Sequence, residues 1–305
     1  MNKIINFHDV RDIAWFDRII TILKNKYTMV DVNQLEGYYY DGKILKNACH
    51  ITIDDGDKTF YNVIYPVLKK HSVPATIFVS PTICKTDKNF WFQEIRGYNQ
   101  DKVRSIISEH FNLSIETLRL YSMEMILKNF KIDDIWFVIE TYKKQFKVVS
   151  KEAQNMNLYQ ILEIEKYGLV TIGAHTLIHP ILANESDDRS KSEISNSIVD
   201  LGSILGHDIK TFAYPNGIPK LDFGQREIDN LKNNNCKIAF STEPKNFTLN
   251  DNPLSIPRFG LSRGNEFFVR AKLALGAYWP KIKELKSKGE KTGRLELKSK
   301  IVIRN

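Results

Sequence analysis

The sequence predicts an α/β fold built on a parallel sheet or barrel. Three apolar segments are short enough to be buried strands, namely residues 3–7, 47–53 and 73–79. A segment of helical spacing at about 59–70 lies between the last two, so strand, helix and strand follow one another. In folds of this kind, functional sites lie at the carboxyl ends of the strands, and two acids follow strand 47–53.

The same alternation continues along the chain. The further elements that we expect are, in order, a helix at 14–25, a short segment at 27–32, a helix from Asn157 to Tyr167, a strand at 169–173, a helix at 190–205, a strand at 210–214, a helix at 224–234 and a strand at 236–241. Asn157 is a typical helix N-cap, and Gly168 suits the turn that ends the same helix. Residues 95–150 break the rhythm because they have helical spacing without strand alternation. They predict a helical insertion that serves as a lid or a substrate wall.

Length and composition indicate one large domain. A chain of 305 residues with 42% hydrophobic residues and 17 Phe can bury a single large core. We expect this domain over residues 1–280, including the insertion at about 95–150, followed by a basic tail over residues 281–305.

The positive charge is concentrated in this tail. Residues 281–305 hold nine Lys or Arg against three Glu, so +6 of the formal net charge of +8 lies there. The rest of the chain shows no basic stripe, which argues against nucleic-acid binding. The tail is interpreted as a solubilising, partly ordered terminus, with contact to anionic lipid head groups or phosphorylated substrates as the alternative.

The remaining compositional features concern the cellular compartment. The first eight residues contain no run long enough for a signal-peptide core, and no stretch approaches a membrane span. If Met1 is the true start, we expect a cytoplasmic protein. The three cysteines, Cys49, Cys84 and Cys236, are far apart, which fits a reducing compartment and gives no zinc knuckle.

Two motifs carry groups suited to metal chemistry. Asp54-Asp55-Gly56 places two carboxylates side by side, which is costly unless a cation or a catalytic proton stabilises them. His175 and His179 follow a second apolar segment, and one carboxylate with two histidines makes a three-ligand site of the catalytic kind. The second carboxylate then remains as a base. Taken alone, the first motif could be a turn and the second a helical zinc motif, but Pro180 and the preceding strand favour a pair of loop ligands.

Together with a third motif, these residues resemble a known family. Asp54-Asp55-Gly56, His175-Thr176-x-x-His179 and Phe212-Ala213-Tyr214-Pro215-Asn216-Gly217 resemble, in this order and spacing, the polysaccharide deacetylases. These are the chitooligosaccharide-deacetylase-like enzymes, also called carbohydrate esterase family four. The segment Phe7-His8-Asp9-Val10 is similar to the amino-terminal segment of members that act on exopolysaccharides. The resemblance covers roughly residues 3–80 and 157–262.

The resemblance implies a fold and a set of roles. The fold would be a distorted (β/α)7 barrel that binds a divalent metal ion, Zn²⁺ in the first place, with Co²⁺ or Ni²⁺ as alternatives. The implied roles are general base for Asp54, metal ligands for Asp55, His175 and His179, an oxyanion donor in the backbone N–H of Asn216, and substrate contacts for Thr176, Tyr214 and Pro215. For Thr176, a hydrogen bond within the site is the alternative to a contact with a sugar oxygen.

The sequence departs from the family pattern at two positions. Ala213 stands where an arginine usually orients the catalytic aspartate, and no histidine follows Leu254, where the general acid is expected. We expect Arg258 to orient Asp54 or to stabilise charge, with a surface ion pair as the alternative. It cannot deliver a proton near neutral pH. His8 is the best substitute acid, although a merely hydrogen-bonded histidine is the alternative.

The expected function is a metal-dependent hydrolase. It would remove N-acetyl groups from an amino sugar of a surface polysaccharide, a capsule or a lipid-linked precursor, so its expected partner is a carbohydrate. Alternatives are hydrolysis of another amide, a cyclic ureide or an O-acetyl ester, and a carbohydrate-binding pseudoenzyme that keeps the metal. Phe90-Trp91-Phe92 and Trp136 are interpreted as core or lid packing, with a sugar-stacking surface as the alternative.

Overall fold

Parallel strands carry the fold. The computed structural model describes residues 1–86, 88–261, 264–276 and 289–302. Within these ranges the strands are β1 Lys3–Phe7, β2 Thr28–Met29, β3 Ala48–Ile53, β4 Ala75–Val79, β5 Val170–Ala174, β6 Thr211–Ala213, β7 Ile238–Phe240 and β8 Phe259–Gly260. Their hydrogen-bonded order is β7-β6-β5-β4-β3-β1-β8, and β2 pairs with β3 beside this path. The strands expected at the two acids and before the two histidines are therefore confirmed.

Helices connect the strands. They are α1 Ile13–Lys26, α2 Val32–Tyr40, α3 Tyr65–His71, α4 Pro81–Lys85, α5 Trp91–Glu94, α6 Gln100–Phe111, α7 Ile115–Arg119, α8 Met123–Leu127, α9 Ile132–Phe146, α10 Leu158–Tyr167, α11 Asp187–Leu205, α12 Gln225–Asn233, α13 Glu266–Leu275 and α14 Glu290–Val302. A π-helical turn, Phe60–Ile64, leads into α3. Asn157 caps α10 through its side chain, and Gly168 ends that helix with a φ of 73°, as the sequence predicts.

The sheet curls until its two edges share one short segment. Ile256 bridges Phe240 of β7, and three residues later Phe259 of β8 pairs with Ile5 of β1. The strands on this path number seven among the described residues, which confirms the predicted distorted (β/α)7 barrel. All residues of β1, β3 and β4 are buried, as expected for parallel strands covered by helices outside and by packed side chains inside.

The segment at 95–150 forms helices, as predicted. Helices α6 to α9 bury a hydrophobic cluster of their own, with Val103, Ile107, Ile135 and Val138 fully buried. This cluster is separate from the main cluster on the barrel strands. The insertion is therefore a small helical layer with its own core, which stands beside the barrel.

Part of the predicted basic tail, residues 289–302, belongs to the fold. Helix α14 packs onto the insertion, since Leu297 is fully buried in the cluster of α6 to α9. Its Arg294 is also buried, against Asp222. The sequence pattern does not reveal this because the partner is distant along the chain. The rest of the predicted tail, residues 281–288 and 303–305, lies outside the described residues.

None of the described helices is long and apolar enough to cross a bilayer.

Candidate metal centre

The candidate site lies where the strands of the barrel end. Asp54 and Asp55 directly follow β3, His175 directly follows β5, and Asn216 lies in the turn after β6. Because β3, β4, β5 and β6 are neighbours in a parallel sheet, their carboxyl ends meet at one rim. The sheet order therefore brings together residues that are more than 100 positions apart in the sequence.

Asp55, His175 and His179 form a compact group. Oδ1 of Asp55 lies 3.5 Å from Nε2 of His175 and 3.5 Å from Nε2 of His179. The donor atoms of the three residues all lie within 4.8 Å of one another. Ligand bonds of about 2.0–2.2 Å in a tetrahedral arrangement would separate neighbouring donor atoms by about 3.4 Å. Oδ1 of Asp55 is also buried without a hydrogen-bond partner among the described residues. These residues therefore fit a divalent metal ion.

Hydrogen bonding and burial prepare the two imidazoles as ligands. Nδ1 of His175 lies 2.7 Å from the carbonyl oxygen of Ala213, which can only accept, so this nitrogen carries the proton. Nε2 is left with its lone pair facing Asp55. Burial, and then the neighbouring His175, lower the pKa of His179 to about 3, so its imidazole stays neutral. Burial raises the pKa of Asp55, but the two histidines and His8 outweigh it and keep this carboxyl ionised.

The loops of the site hold a strained backbone. Asp55, Thr176, His179 and Asn216 have φ values of 73°, 63°, 62° and 61°, in the left-handed region that non-glycine residues rarely adopt. Each such residue costs about 1–3 kcal/mol and persists only where its surroundings impose it. Glu193 supplies part of that support, because its carboxylate accepts the N–H groups of both residues before His179, at 3.0 and 3.2 Å.

Asp54 faces a different set of partners. Arg258 clamps it with two hydrogen bonds, Nη1 to Oδ1 at 2.7 Å and Nη2 to Oδ2 at 2.9 Å, and Asn6 donates to Oδ2 at 3.0 Å. Burial raises the pKa of Asp54, but the charges of Arg258, His175 and His8 outweigh it, so the pKa lies below its usual value. Arg258 is only 1% exposed, which rules out the surface ion pair. Its guanidinium reaches Asp54 from the side of β8. The arginine that orients this aspartate in the family would stand instead at position 213, where this chain has Ala213.

His8 lies beside Asp54 at the rim of the barrel. Its Nε2 is 3.8 Å from Oδ2 of Asp54, too far for a hydrogen bond, and 53% of its side chain is exposed. The side chain lines the cavity above the site. His8 is therefore not a buried histidine but an accessible imidazole next to Asp54 at the cavity.

A cavity of about 570 Å³ joins the three-residue group to the insertion. Asp55, His179, His8 and Asn216 lie on its barrel side. The other side is formed by residues of the insertion and the segment leading into it, among them Trp91, Phe92, Tyr98, Met123, Glu124 and Lys128. The insertion is thus a wall of the cavity. The ring of Phe92 lies 5.0 Å from that of His179, so this aromatic side chain both packs at the site and faces the cavity.

Two expected substrate contacts, Tyr214 and Pro215, need correction, and for Thr176 the structure shows the alternative, a hydrogen bond within the site. Thr176 is fully buried, and its hydroxyl oxygen accepts the N–H of His179 at 3.0 Å, so it supports the loop. Tyr214 is buried too, with its hydroxyl donating to the carbonyl oxygen of Leu254. Pro215 is also buried. None of the three lines the cavity, because the turn points their side chains inward and presents only Asn216.

Sequence reasoning missed several supporting residues. Asn6 donates to Asp54 and accepts from Thr52 and Arg258, and a single polar residue inside the apolar strand KIINF was the available signal. Glu193 gave a weaker signal, as one member of a buried polar stripe on α11 with Ser190 and Ser197. Their partners lie on other elements, so the local pattern does not identify them.

The sequence of the chain is similar to that of known proteins. The model of the polysaccharide deacetylase family matches residues 41–125 and 121–230, together 190 of the 305 residues. Poly-β-1,6-N-acetyl-D-glucosamine N-deacetylases of Staphylococcus aureus are 25% identical over 225 residues. The alignment covers 74% of this chain and 58% of those proteins, so the chain spans less than two thirds of their length.

Solved structures show the same fold. The Streptococcus pyogenes deacetylase PplD in complex with acetate is 18% identical, with a TM-score of 0.58, and the match covers 85% of this chain and 92% of that one. IcaB from Ammonifex degensii is 16% identical, with a TM-score of 0.58, and the match covers 96% of both chains. At these identities the similarity shows that the fold is shared. What chemistry the site can perform depends on the residues of this chain.

Proposed function

This chain belongs to the polysaccharide deacetylase family, and we propose from this premise that it hydrolyses N-acetyl groups of an amino-sugar polysaccharide. The observation that carries the proposal is the pairing, on one rim, of the Asp55, His175 and His179 group with an Asp54 held by Arg258. Because its relatives are named for poly-β-1,6-N-acetyl-D-glucosamine, we propose a β-1,6-linked N-acetylglucosamine polymer or its precursor as the first substrate to test.

Asp55, His175 and His179 are proposed to hold the divalent ion, Zn²⁺ in the first place and Co²⁺ or Ni²⁺ otherwise. When bound, such an ion polarises a carbonyl group and acidifies water. The chain's own contribution is to keep the donors deprotonated. The hydrogen bond of His175 to the Ala213 carbonyl fixes its tautomer, and burial keeps His179 neutral.

Asp54 is proposed to take the proton from the attacking water. Its depressed pKa keeps the carboxylate ionised, and Arg258 and Asn6 hold its plane in one orientation. Assistance by a positioned base contributes about 10²–10⁴-fold to a rate. Asp54 makes none of the contacts that group Asp55 with the histidines, which leaves it free for this role.

His8 is proposed to protonate the departing amine. It is the accessible imidazole next to Asp54, and an imidazole exchanges protons near neutral pH, whereas the guanidinium of Arg258 does not. Asn216, which lines the cavity, is proposed to offer its backbone N–H to the oxyanion that forms on the acetyl carbon. The amine and the oxyanion would then meet donors from opposite sides of the barrel rim.

The experiment is a measurement of acetate release from N-acetylated β-1,6-linked glucosamine oligomers, with and without a chelator. We expect release that the chelator abolishes and that Asp54→Asn lowers by about 10²–10⁴-fold while bound metal is retained. Asp41→Asn, which changes an exposed acid outside the cavity lining, is the matched control and should not change the rate. Release of acetate from esters alone, cleavage of a ureide, or no turnover at full metal occupancy would overturn the proposal.

A further inference from the structure

Helix α14 connects the two walls of the cavity. Its Arg294 has a guanidinium that is 1% exposed and bound at both ends. Nη1 lies 2.6 Å from Oδ1 of Asp222, in the loop that follows β6. Nη2 donates to the backbone carbonyl of Lys128, on the insertion side, at 2.9 Å. One side chain therefore links the loop after β6 to the insertion.

The contact with Asp222 leads directly to the cavity. The second carboxylate oxygen of Asp222 accepts the side-chain amide of Asn216 at 2.7 Å and the backbone N–H of Ile218 at 2.8 Å. Asp222 is fully buried, and a buried carboxylate is costly unless a cation pairs with it. Arg294 supplies that charge. Asn216 is thus two hydrogen bonds away from Arg294, and its side chain also contacts the carboxylate of Glu290 in the same helix directly.

The same helix also fixes the opposite wall. Glu290 lies 2.8 Å from the ammonium group of Lys128, which is mostly buried and lines the cavity. One turn beyond Arg294, Lys298 donates to Oδ1 of Asn184, whose amide in turn donates to the carbonyl of Lys128. These contacts, together with the buried Leu297, set α14 firmly against the insertion.

We propose that Arg294 is a positioning residue of the deacetylation reaction. Through Asp222 it holds the turn at 215–218 so that Asn216 keeps its left-handed backbone and faces the cavity. The inference rests on the proposed function, since it concerns the turn that would stabilise the oxyanion. It goes beyond the family pattern because α14 lies outside the residues 41–230 that the family model matches.

The physical reason is the strain in the turn. Asn216 has a φ of 61°, a left-handed conformation that Asn tolerates better than most residues and that its surroundings help to maintain. Its support from this direction is the hydrogen bond that its side-chain amide donates to the carboxylate of Asp222, which Arg294 holds in turn, together with the contact to Glu290. A donor that moves by about 1 Å can cost about 100-fold in rate, so a small relaxation of this turn is sufficient to be measured.

The test uses the full chain with Arg294→Met, Arg294→Lys and, as the matched control, Lys291→Met on the exposed face of the same helix. Amide hydrogen exchange of Asn216, Gly217 and Ile218, the three residues with an N–H in the turn at 215–218, is the readout that does not depend on activity. We expect Arg294→Met to speed exchange there while β3 and β5 keep their protection. We expect kcat for acetate release to fall by about 10- to 100-fold with KM and metal content nearly unchanged. Lys291→Met should match the wild type.

Two further variants keep the result decisive. Arg294→Lys keeps the charge but not the forked contact, so it should retain part of the activity and provides a folded variant if Arg294→Met does not accumulate. Asp222→Asn combined with Arg294→Met should be no slower than the slower single variant, because the two residues act as one unit.

The proposal is overturned if Arg294→Met leaves both the exchange of the turn and kcat unchanged, or if it speeds exchange equally in all strands. A wild-type chain that releases no acetate overturns the proposed function instead, and the exchange experiment then still decides whether Arg294 holds the turn.

Discussion

At the scale of single residues, the site separates two adjacent carboxylates that have the same chemistry. Asp54 directly follows strand β3, and its carboxylate accepts a hydrogen bond from the guanidinium of Arg258. Asp55 has a φ of 73°, which turns its side chain away from that partner and towards His175 and His179. One residue in a left-handed conformation therefore allows two like charges to sit side by side, each with its own positive or metal-binding surroundings.

The first prediction at this scale concerns the pH dependence of the reaction. Arg258 lowers the pKa of Asp54 against the effect of burial, so Arg258→Met should let burial raise that pKa. The acid limb of kcat/KM should then move to higher pH by about 1–3 pH units, because a base with a higher pKa is protonated earlier as the pH falls. A pH–rate profile measures this.

Arg119→Met, which removes an exposed guanidinium on the insertion, is the control for loss of a positive charge. Arg258→Lys should move the limb less than Arg258→Met. An acid limb that stays in place in Arg258→Met would show that another group is the base.

At the scale of elements, the strands are rigid, and the end of each strand fixes the position at which the following loop begins. β5 is the clearest case because His175 follows it directly and its neighbours β4 and β6 are packed tightly against it. Gly173 shows how tight this packing is. A Cβ at this position would lie 2.5 Å from the hydroxyl oxygen of Thr211 and 2.6 Å from the ring of Phe78.

The prediction that follows concerns Gly173→Ala. Overpacking of this kind costs about 1–3 kcal/mol in the free energy of unfolding, and the strand must shift to accommodate the methyl group. We expect a lower denaturation midpoint and weaker metal binding, since His175 moves with the strand. Chemical denaturation and metal titration measure the two effects.

Gly260→Ala provides the comparison, because Gly260 also lies in a barrel strand but a Cβ there would meet nothing within 4 Å. It should be close to the wild type in both measurements. Equal losses in the two variants would mean that the close contacts at Gly173 do not account for the effect.

At the scale of the whole molecule, two hydrophobic cores meet at one cavity. The barrel carries the candidate metal-binding group, and the insertion side carries aromatic and apolar side chains together with Glu124 and Lys128. The ion would bind only to the folded barrel, because its ligands come from two loops about 120 residues apart in the chain. Binding should therefore stabilise the whole folded state.

The prediction at this scale is a metal-dependent melting temperature. Added Zn²⁺ at about 100 times its dissociation constant should stabilise the chain by about 2.7 kcal/mol, and a chelator should reverse the change. Thermal unfolding with and without the ion measures it. His179→Ala should abolish most of the response, whereas His110→Ala, at an exposed position of the insertion, should keep it. A full response in His179→Ala would place the ion elsewhere.

The sequence predicted the parts of this structure that depend on local pattern. Apolar runs mark β1, β3, β4, β5, β6 and β7, and the motifs place Asp55, His175 and His179 at the strand ends. Contacts between distant polar residues were not predictable, because Arg294 and Asp222 are 72 positions apart and neither lies in a distinctive pattern. The wrong expectations for Tyr214 and Pro215 have a related cause, since a motif does not show which of its side chains a turn points inward.

Closure of the barrel also sets an order of events during synthesis. Arg258 reaches Asp54 across 204 positions, and it lies in the segment that joins β7 to β1. At about 5–20 residues per second, a ribosome would release Asp54 about 10–40 s before its partner. Throughout that interval the carboxylate lacks its counter-charge, and the ring lacks its last strand. Closure of the ring and pairing of Asp54 with its counter-charge are consequently one event, so Asp54 cannot reach its final surroundings before the segment that carries Arg258 has been synthesised.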